Sequence, residues 1–362
     1  MFHEIFRPLK ARMFAGAIGS VLCVLALTGS ATTAHAQGCV AAHSNQAPMD
    51  ELCDSDTTRG VDGGAWIHRL TVNVGYRVFS SEYYFVGTQE LPKSPATENH
   101  QNIWDVGIDF RLTHRWSLIA DVPVYDGDRN QIYPPSGIFR VAGIGDMTIG
   151  AQTWIFRPPT ESNGNIAFSV SLKIPTGVDN ATGAALLHGQ PVVATADQSL
   201  QPGDGGWGFV LASQAYKQIW LRTMLYFQGQ YLFNPEDTNG VATFRTQPGQ
   251  AVMSITDQYL FRGGFSHGIP HFRRLELSLG GRFEGVPVRD AFGSSDGFRR
   301  PGYIVSIDPG MMFSFYHETI SVNGPWALLR DRENSVPEIA AGTNGDAFFA
   351  NYTVIATMSH TF

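Results

Sequence analysis

The residues best suited to catalysis stand in segment 316–324, where His317 and Ser321 occur close together. These are the residue types of a hydrolase, in which a histidine base activates a serine hydroxyl. Their spacing does not match the histidine–serine arrangement of membrane-embedded lipases, and the segment falls at an expected turn. The other histidines lie in expected loops or turns without ligand spacing (His188, His267 and His271). The sequence therefore predicts no enzyme and no cofactor, with a membrane-embedded hydrolase as an alternative.

Two of the three cysteines suit a disulfide. Cys23 falls in a segment that we expect to be removed, whereas Cys39 and Cys53 stand near the start of the mature chain. In an oxidising compartment such a pair closes a small loop. No Cys-x-x-Cys motif is present, and two cysteines alone do not complete a zinc site, so the sequence predicts no metal.

The N-terminus has the three parts of a secretory signal peptide. A basic stretch precedes an apolar run over 13–27, and residues 34–36 read Ala-His-Ala, a small-x-small cleavage pattern. We therefore predict a cleaved signal peptide over 1–36 and export of the mature chain. A retained membrane anchor and a lipoprotein attached at Cys39 are the alternatives.

The composition of the remaining chain excludes several classes of protein. Without residues 1–36, 22 basic residues stand against 31 acidic ones, a formal net charge of −9. This balance argues against nucleic acid as a partner. Charged residues make up 16% of the chain, below the roughly 25% of soluble domains. The mean hydropathy of −0.09 is low for a helical membrane protein.

Most of the mature chain repeats one pattern, about ten residues of alternating polarity followed by a turn. In the first segment Leu70, Val72 and Val74 alternate with Thr71 and Asn73. Successive side chains of a strand point to opposite faces, so each segment has one apolar and one polar face. We predict about twelve strands. They fall at 66–78, 104–112, 116–124, 146–152, 166–174, 207–216, 221–233, 254–266, 275–284, 303–315, 320–328 and 348–362.

The connections between these strands alternate in length. Long connections are expected near 79–101, 126–143, 175–206, 234–252, 285–301 and 329–346. Short turns are expected near 113–114, 157–165, 217–220, 267–273 and 316–318. An even strand number, long extracellular loops and short periplasmic turns are typical of outer-membrane barrels. The sequence therefore predicts an all-β, transmembrane antiparallel β-barrel.

A soluble β-sandwich also alternates in polarity and is the alternative fold. Two observations favour the barrel. The strands are close to the roughly 9–11 residues that a tilted strand needs to cross a bilayer. Aromatic residues also gather near strand ends, as in an interfacial girdle (Trp66, Tyr76, Trp104, Trp116, Tyr303 and Phe315).

A membrane barrel must close and must turn its polar faces inward, because lipid cannot satisfy backbone N–H and C=O groups. The candidate lumen and binding residues are therefore Arg69, Arg77, Asp105, Asp109, Arg111, Asp146, Lys173, Arg222, Glu276, Arg282, Glu284, Arg299 and Arg300. Both signs of charge are present, which predicts weak ion selectivity. Asp146 and Lys173 are candidates for a lumen ion pair. The two last arginines could bind an anionic ligand or lipopolysaccharide, or could tie a loop to wall carboxylates.

The chain ends on Phe362, with apolar residues at alternate positions before it (Tyr352, Val354 and Met358). This ending resembles the C-terminal strand that barrel-assembly machinery recognises in outer-membrane proteins. The resemblance implies that this machinery is a partner, together with outer-membrane lipid and lipopolysaccharide.

Several motifs resemble one outer-membrane family. Residues 143–151 read Gly-Ile-Gly-Asp-Met-Thr-Ile-Gly-Ala, and residues 172–177 read Leu-Lys-Ile-Pro-Thr-Gly. Segments 281–288 and 296–302 are similar to further loop segments of the same proteins. Together they resemble the family associated with the meta-pathway of phenol degradation, over residues 64–362. The resemblance implies a porin- or transporter-like barrel.

We expect three parts in the chain: a signal peptide over 1–36, a periplasmic extension over 37–63 and a barrel over 64–362. The functional hypothesis is an outer-membrane channel that passes small-molecule solutes, aromatic or otherwise apolar compounds among them, by passive diffusion. A closed structural or adhesive barrel without transport is the alternative.

Overall fold

The computed structural model describes residues 66–81, 83–91, 98–131, 134–156, 163–272, 274–349 and 353–362. All of them belong to one compact unit, His35–Phe362. The predicted signal peptide, the 37–63 extension and the predicted Cys39–Cys53 disulfide lie outside the described residues. No helix within the described stretches is long and apolar enough to span a membrane.

Twelve antiparallel strands of the described chain form a closed barrel wall. Ten are continuous, whereas β4 and β11 are each interrupted by two residues. Their bounds are Leu70–Ser81 (β1), Glu98–Arg111 (β2), Trp116–Gln131 (β3), Gly137–Ile144 with Met147–Trp154 (β4), Gly164–Ile174 (β5), Gly208–Trp220 (β6), Thr223–Phe233 (β7), Gln258–Gly268 (β8), Leu275–Val286 (β9), Gly302–Phe315 (β10), Glu318–Asn323 with Trp326–Asp331 (β11) and Val354–Thr361 (β12).

The first and last strands close the barrel. β1 pairs with β12 from Thr71 opposite Thr361 to Val78 opposite Val354. The other neighbours pair in chain order around the wall. This closure satisfies the backbone groups that lipid cannot. The predicted all-β, twelve-stranded barrel with long loops at one end and short turns at the other is confirmed.

The wall is apolar on its outer face and polar on its inner face, the reverse of a soluble protein. On β5 the side chains of Phe168 and Val170 are 50% and 57% exposed, whereas Ser169 and Ser171 between them are buried. The same alternation recurs along the other wall strands. Apolar side chains on the outer surface suit contact with acyl chains, and polar ones inside suit a lumen.

The long connections, which lie at the extracellular end, contain small elements of their own. Short strands form two hairpins and a three-stranded sheet there. They are Thr182–Leu187 with Gln190–Thr195, Thr238–Ala242 with Val252–Ser254, and Ala347–Phe349 with Tyr83–Val86 and Gln89–Leu91. One α-helix, Val336–Ala341, and two short 3-10 turns, Trp66–Arg69 and Gln198–Leu200, complete the described regular structure.

The structure has strand where a long loop was predicted over 126–143. β3 continues to Gln131 and β4 begins at Gly137, so these strands form an extended hairpin, and β2 pairs with β3 beside it as far as Glu98 opposite Asn130. Arg129 on its inner side is polar, and so is Asp128 on its outer side. Residues 126–131 of β3 have no apolar face and therefore no period-two hydrophobic signal, so this part of the extension could not be seen in the sequence.

Three predicted strand ends also differ from the structure. Trp66 and His68 belong to a 3-10 turn rather than to β1. Phe348 pairs with Tyr84 outside the wall instead of beginning β12. Leu221 lies in the tight β6–β7 turn rather than in a strand, because β6 continues through Trp220.

Candidate functional site in the barrel lumen

The middle of the lumen contains ion pairs carried by the inner faces of wall strands. Arg262 of β8 pairs with Asp308 of β10, with 3.0 Å between Nη2 and Oδ2. On β9, Arg282 pairs with Glu284 at 2.8 Å, because residues two apart share one face of a strand. Asn323 of β11 donates a further hydrogen bond to Asp308, 3.3 Å long. Buried charges are tolerated when they are paired in this way.

Arg77 of β1 extends this group of charges across the lumen. Its side chain is buried and lies within electrostatic range of Asp105 on β2 and of Arg282 and Glu284 on β9. Because three strands separate β1 from β9 along the wall, these charges approach one another through the interior. We call the group the mid-lumen cluster; its members are Arg77, Asp105, Arg262, Arg282, Glu284 and Asp308.

Toward the periplasmic turns, amide and aromatic side chains line the lumen beside half-buried charges. Gln214 of β6 donates a hydrogen bond to Gln152 of β4 at 3.3 Å. Trp154 packs edge-on against Tyr216, with 6.0 Å between ring centroids. Four of the predicted lumen charges are half-buried at this end of the wall: Arg69, Asp109, Arg111 and Glu276. Arg222 is exposed in the β6–β7 turn, with a positive φ of 63°.

Residues 196–204 of the β5–β6 loop, here called the mouth segment, contact the inner wall at the extracellular end. The carbonyl of Ser199 accepts hydrogen bonds from Gln101 of β2 at 2.7 Å and from the hydroxyl of Tyr125 of β3 at 3.0 Å. Gln198 donates to the backbone carbonyl of Ser254 in the β7–β8 loop at 2.7 Å. The segment therefore lies across the mouth of the barrel rather than above it.

Ion pairs hold the mouth segment from two sides. Arg300 of the β9–β10 loop donates two hydrogen bonds to the carboxylate of Asp197, both 2.7 Å long, and Arg129 of β3 lies 3.7 Å away. Bidentate pairs of this kind are among the strongest hydrogen bonds in proteins. Burial alone would raise the pKa of Asp197, but Arg129 and Arg300 hold that pKa well below its usual value.

Asp146, at the interruption of β4, binds the two ends of the β5–β6 loop, which together are called the root of the loop. Its carboxylate accepts hydrogen bonds from the backbone N–H groups of Gly177 and Asp204, at 2.9 and 3.0 Å. Lys173 contacts the carboxylate of Asp204 and lies 3.7 Å from Asp146. A Cβ atom at Gly177 would lie 2.7 Å from the Cα atom of Gly203, so the two chain passages meet backbone to backbone.

An apolar core fixes the rest of this loop against the extended hairpin of β3 and β4. Leu200 and Ala196 of the mouth segment are fully buried together with Phe139 and Val141 of β4. Ala185 and Ala194 of the loop hairpin complete that core. The loop thus has an apolar anchor on one side and polar contacts with the lumen on the other.

Two cavities, each of about 160 Å³, lie on either side of the mouth segment. Gln198 and Met253 line both of them, so the partition is thin. The outer cavity also contacts Pro134, Phe244 and Arg245. The inner cavity lies within the upper lumen. The apolar members of its lining are Ile103, Pro123, Pro202, Val210, Leu232, Met253 and Val286.

The structure brings some of the predicted candidates together and leaves others apart. Lys173 and Asp146 are neighbours, and Arg282 and Glu284 are paired. Arg299 is fully buried among the extracellular loops, where it contacts Ser254 and Asp290 and does not line either cavity.

Sequence reasoning missed two groups of residues at this site. The first is the set of loop carboxylates, Asp197 and Asp204, for which no local pattern exists. The second is the set of apolar residues that face inward, such as Ile103 and Leu232. A signal for the second group was present, because Ile103 has the same parity as Asp105 and therefore shares the polar face of its strand.

No protein-family model matches the chain, and no curated protein matches it. Among solved structures, an outer membrane channel from Pseudomonas putida F1 is 12% identical, with a TM-score of 0.57 over 81% of this chain and 95% of its own. A Pseudomonas aeruginosa FadL homologue is 10% identical, with a TM-score of 0.43 over 90% of this chain and 100% of its own. The P. putida toluene transporter TodX is 8% identical, with a TM-score of 0.40 over 85% and 93% of the two chains.

The closed wall, the apolar outer face and the likeness to the first of these structures define a class. The protein has the fold of an outer-membrane β-barrel of twelve strands.

Proposed function

We propose that the protein is an outer-membrane channel for small solutes, and that the mouth segment closes its extracellular end. The observation that carries the proposal is the partition between the two cavities. The mouth segment crosses the mouth as a loop, held by side-chain contacts and not by pairing with the wall. The hydrogen bonds among these contacts can be exchanged for water when the loop moves, at the cost of exposing Leu200 and Ala196, and the wall stays intact.

The upper lumen supports small, aromatic or otherwise apolar molecules as the solutes. Porin lumens are polar, yet seven apolar side chains contribute to the lining of the inner cavity. The motifs at 143–151 and 172–177, which resemble the phenol meta-pathway family, form the clasp at the root of the mouth loop. The likeness to the P. putida outer membrane channel supports passive transport of solutes through this fold.

The mid-lumen cluster favours one other function, that of a closed structural barrel. Its ion pairs join side chains of the nearby strands β8, β9 and β10, Arg77 approaches them through the interior, and the group could act as a permanent plug. A plugged barrel would conduct no ions in any state of its loops. A channel would conduct once the mouth segment moves, with water entering around the charged side chains.

The test is single-channel conductance of the mature protein in planar bilayers, with Asp197→Ala beside the wild type. Loss of the bidentate pair should raise the open fraction by about tenfold, since hydrogen bonds to charged groups contribute about 1.5–3 kcal/mol. The matched control is Asp128→Asn on the same extracellular face, a half-exposed carboxylate whose ion-pair partner is His100 at 3.4 Å. Silence of both the wild type and Asp197→Ala over many insertions would favour the structural barrel.

We further propose that residues 1–36 are removed during export, that 37–63 form a periplasmic extension closed by a Cys39–Cys53 disulfide, and that the barrel-assembly machinery inserts residues 64–362 into a membrane containing lipopolysaccharide. The signal-like N-terminus and the terminal Phe362 support this route. Intact mass of the protein from outer membranes, with and without reduction, tests both processing and the disulfide. An N-terminus at residue 1 would contradict it.

A further inference from the structure

The outer cavity, on the extracellular side of the mouth segment, has an arginine side chain in its lining. Arg245 of the β7–β8 loop contacts this cavity, and its side chain is 31% exposed. Its ion-pair partner is Asp346, with 3.9 Å between Nη1 and Oδ1, which is too long for a hydrogen bond. A solute in the cavity could therefore reach the guanidinium group of Arg245 and form shorter contacts with it than Asp346 does.

The ring of Phe298 holds Arg245 in place. The backbone N–H of Phe298 donates to the carbonyl of Val252 at 2.7 Å, and its carbonyl accepts from the N–H of Ser254 at 3.0 Å. The guanidinium carbon of Arg245 lies 4.3 Å from the ring centroid, and that of Arg300 lies 4.7 Å from it. A guanidinium group that lies over a ring keeps its planar fork of N–H donors for a carboxylate.

Positive charge exceeds negative charge among the described residues that meet at this cavity. Three arginines, Arg129, Arg245 and Arg300, act on the carboxylate of Asp197. Asp346 is the second carboxylate within range of Arg245 and Arg300. Two neighbouring pairs are balanced within themselves, Arg299 with Asp290 and Arg332 with Glu338. These groups therefore carry one net positive charge, which a bound anion would balance.

The remainder of the lining can hold a small apolar body beside the anionic group. The volume of the cavity is about 160 Å³, and a cavity of about 150 Å³ accommodates a single benzene molecule. Half of its lining residues are apolar, namely Pro134, Pro135, Ala196, Phe244, Met253 and Phe298. Phe244 is 44% exposed and so presents its ring to a guest. The lining thus suits a molecule with one anionic end and one ring-sized apolar end.

We propose that the outer cavity binds a small organic carboxylate, whose anionic group pairs with Arg245 and competes with Asp197 for the arginines at the mouth. Asp197 is then a resident carboxylate that keeps the mouth closed until a solute carboxylate takes its place. The inference deepens the proposed channel function and rests on it for the effect on opening, whereas binding itself requires no conduction. It adds a selection step that acts before the solute reaches the lumen.

The experiment is calorimetric titration of the detergent-purified mature protein, near neutral pH, with three probes of similar size. Benzoate carries a carboxylate, benzamide is its neutral counterpart, and benzylamine carries a positive charge. We expect saturable one-site binding of benzoate and no saturable binding of benzylamine. Benzamide should bind at least about tenfold more weakly than benzoate, because hydrogen bonds between charged groups are stronger than those to a neutral group. Equal binding of benzoate and benzamide would overturn the proposal.

Two variants with opposite expected effects locate the binding. Arg245→Gln should weaken benzoate binding at least about tenfold and leave benzamide binding unchanged. Asp197→Ala removes the competing carboxylate and should strengthen benzoate binding about tenfold, an effect that misfolding cannot produce. The matched control is Arg140→Gln, which changes an exposed arginine on the β4 half of the extended hairpin that lines neither cavity. This control should bind benzoate as tightly as the wild type does.

Conductance recorded on the same preparations separates this inference from the channel proposal. Benzoate on the extracellular side should raise the open fraction of the wild type and leave the high open fraction of Asp197→Ala unchanged. Benzoate affinity that is undiminished in Arg245→Gln, or no higher in Asp197→Ala, overturns the binding site even if the channel conducts. A conducting channel whose open fraction ignores bound benzoate overturns the competition with Asp197. Arg245-dependent binding to a protein that never conducts supports the site and contradicts the channel.

Discussion

The mid-lumen cluster and the mouth segment contain the same kind of ion pair, but the first lies on fixed wall strands and the second on loops. In the cluster each charged side chain stands on a wall strand, whose register is fixed by ladders of backbone hydrogen bonds on both sides. At the mouth, Asp197 stands on one loop, Arg300 on another and Arg129 on the wall. A broken pair in the cluster leaves a buried charge without its partner on a fixed strand, whereas a broken pair at the mouth allows the loop to leave. Ion pairs should therefore stabilise the folded wall in the mid-lumen cluster and keep the channel closed at the mouth segment.

The largest expected effect is on the stability of the wall. Asp308→Ala removes the partner of Arg262 inside the barrel and should lower the free energy of unfolding by about 3–5 kcal/mol, as for other buried pairs that lose one member. Urea titration of the folded barrel, followed by tryptophan fluorescence, measures the change. The control is Ser306→Ala, a buried neutral position on the same face of β10. Equal stability of the two variants would show that the cluster is not structural.

Acid should act on the mouth before it acts on the wall. Asp197 faces Arg129, Arg300 and Arg245, and its lowered pKa means that the closed state gains stability above the carboxyl group's ordinary value near 3.9. The closed state loses that stability as the pH falls from about 4 toward the lower pKa. The open fraction should therefore rise by up to about tenfold for each pH unit in this range. Single-channel recording should show a rise of the open fraction below about pH 4.

The variant Asp197→Ala provides the control for this titration, because it lacks the group. Its open fraction should already be high and should not rise further in the same acidic range. A rise of the wild-type open fraction between about pH 8 and 6 would instead point to a different titrating group.

A smaller effect is expected from salt, which should weaken the ion pairs of the mouth loop more than those of the mid-lumen cluster. Asp204 at the loop root is 24% exposed, whereas Asp308 in the cluster is fully buried. Screening acts mainly on charges that water reaches, with a Debye length of about 10 Å at 0.1 M salt. Raising the salt concentration should increase the open fraction modestly and leave the urea midpoint of unfolding unchanged. A parallel shift of both quantities would remove the distinction between the regions.

The smallest expected effect is on ion selectivity. The mid-lumen cluster holds three arginines and three carboxylates, so an open pore passes through charges that balance. Reversal potentials in a KCl gradient should therefore stay close to zero. Glu284→Gln should shift them toward anions. A strong cation preference of the wild type would show that the cluster does not line the conducting path.

The wall could be predicted from the sequence, because each strand carries its own signal. The alternation of Leu70, Val72 and Val74 with polar residues reports a face exposed to lipid without reference to any other part of the chain. The β3 half of the extended hairpin lacks that signal, since Arg129 and Asp128 are polar on opposite sides. Period-two patterns reveal strands that separate two environments, and residues 126–131 are polar on both faces.

The mouth could not be predicted, because its contacts join distant parts of the chain. Asp197 and Arg300 are 103 residues apart, and nothing near either residue indicates the other. Asp146 and Lys173 were selected as charged residues of strands, which gave no indication that the carboxylate would clasp the backbone at Gly177. The inward position of Ile103 follows from parity alone, so apolar residues on the polar face deserve a search in other barrels of this kind.

Because the chain comes back to almost the same point at the root of the mouth loop, residues 178–202 can be replaced without moving the wall. Gly203 donates a hydrogen bond to the carbonyl of Val178 at 3.0 Å, and Gly177 lies against Gly203. The chain therefore leaves and re-enters the wall at almost one point, held there by Asp146. A few residues could bridge that gap, so the loop can be shortened, lengthened or exchanged without a change in the register of β5 and β6. The same barrel wall can therefore carry extracellular loops of different length and sequence.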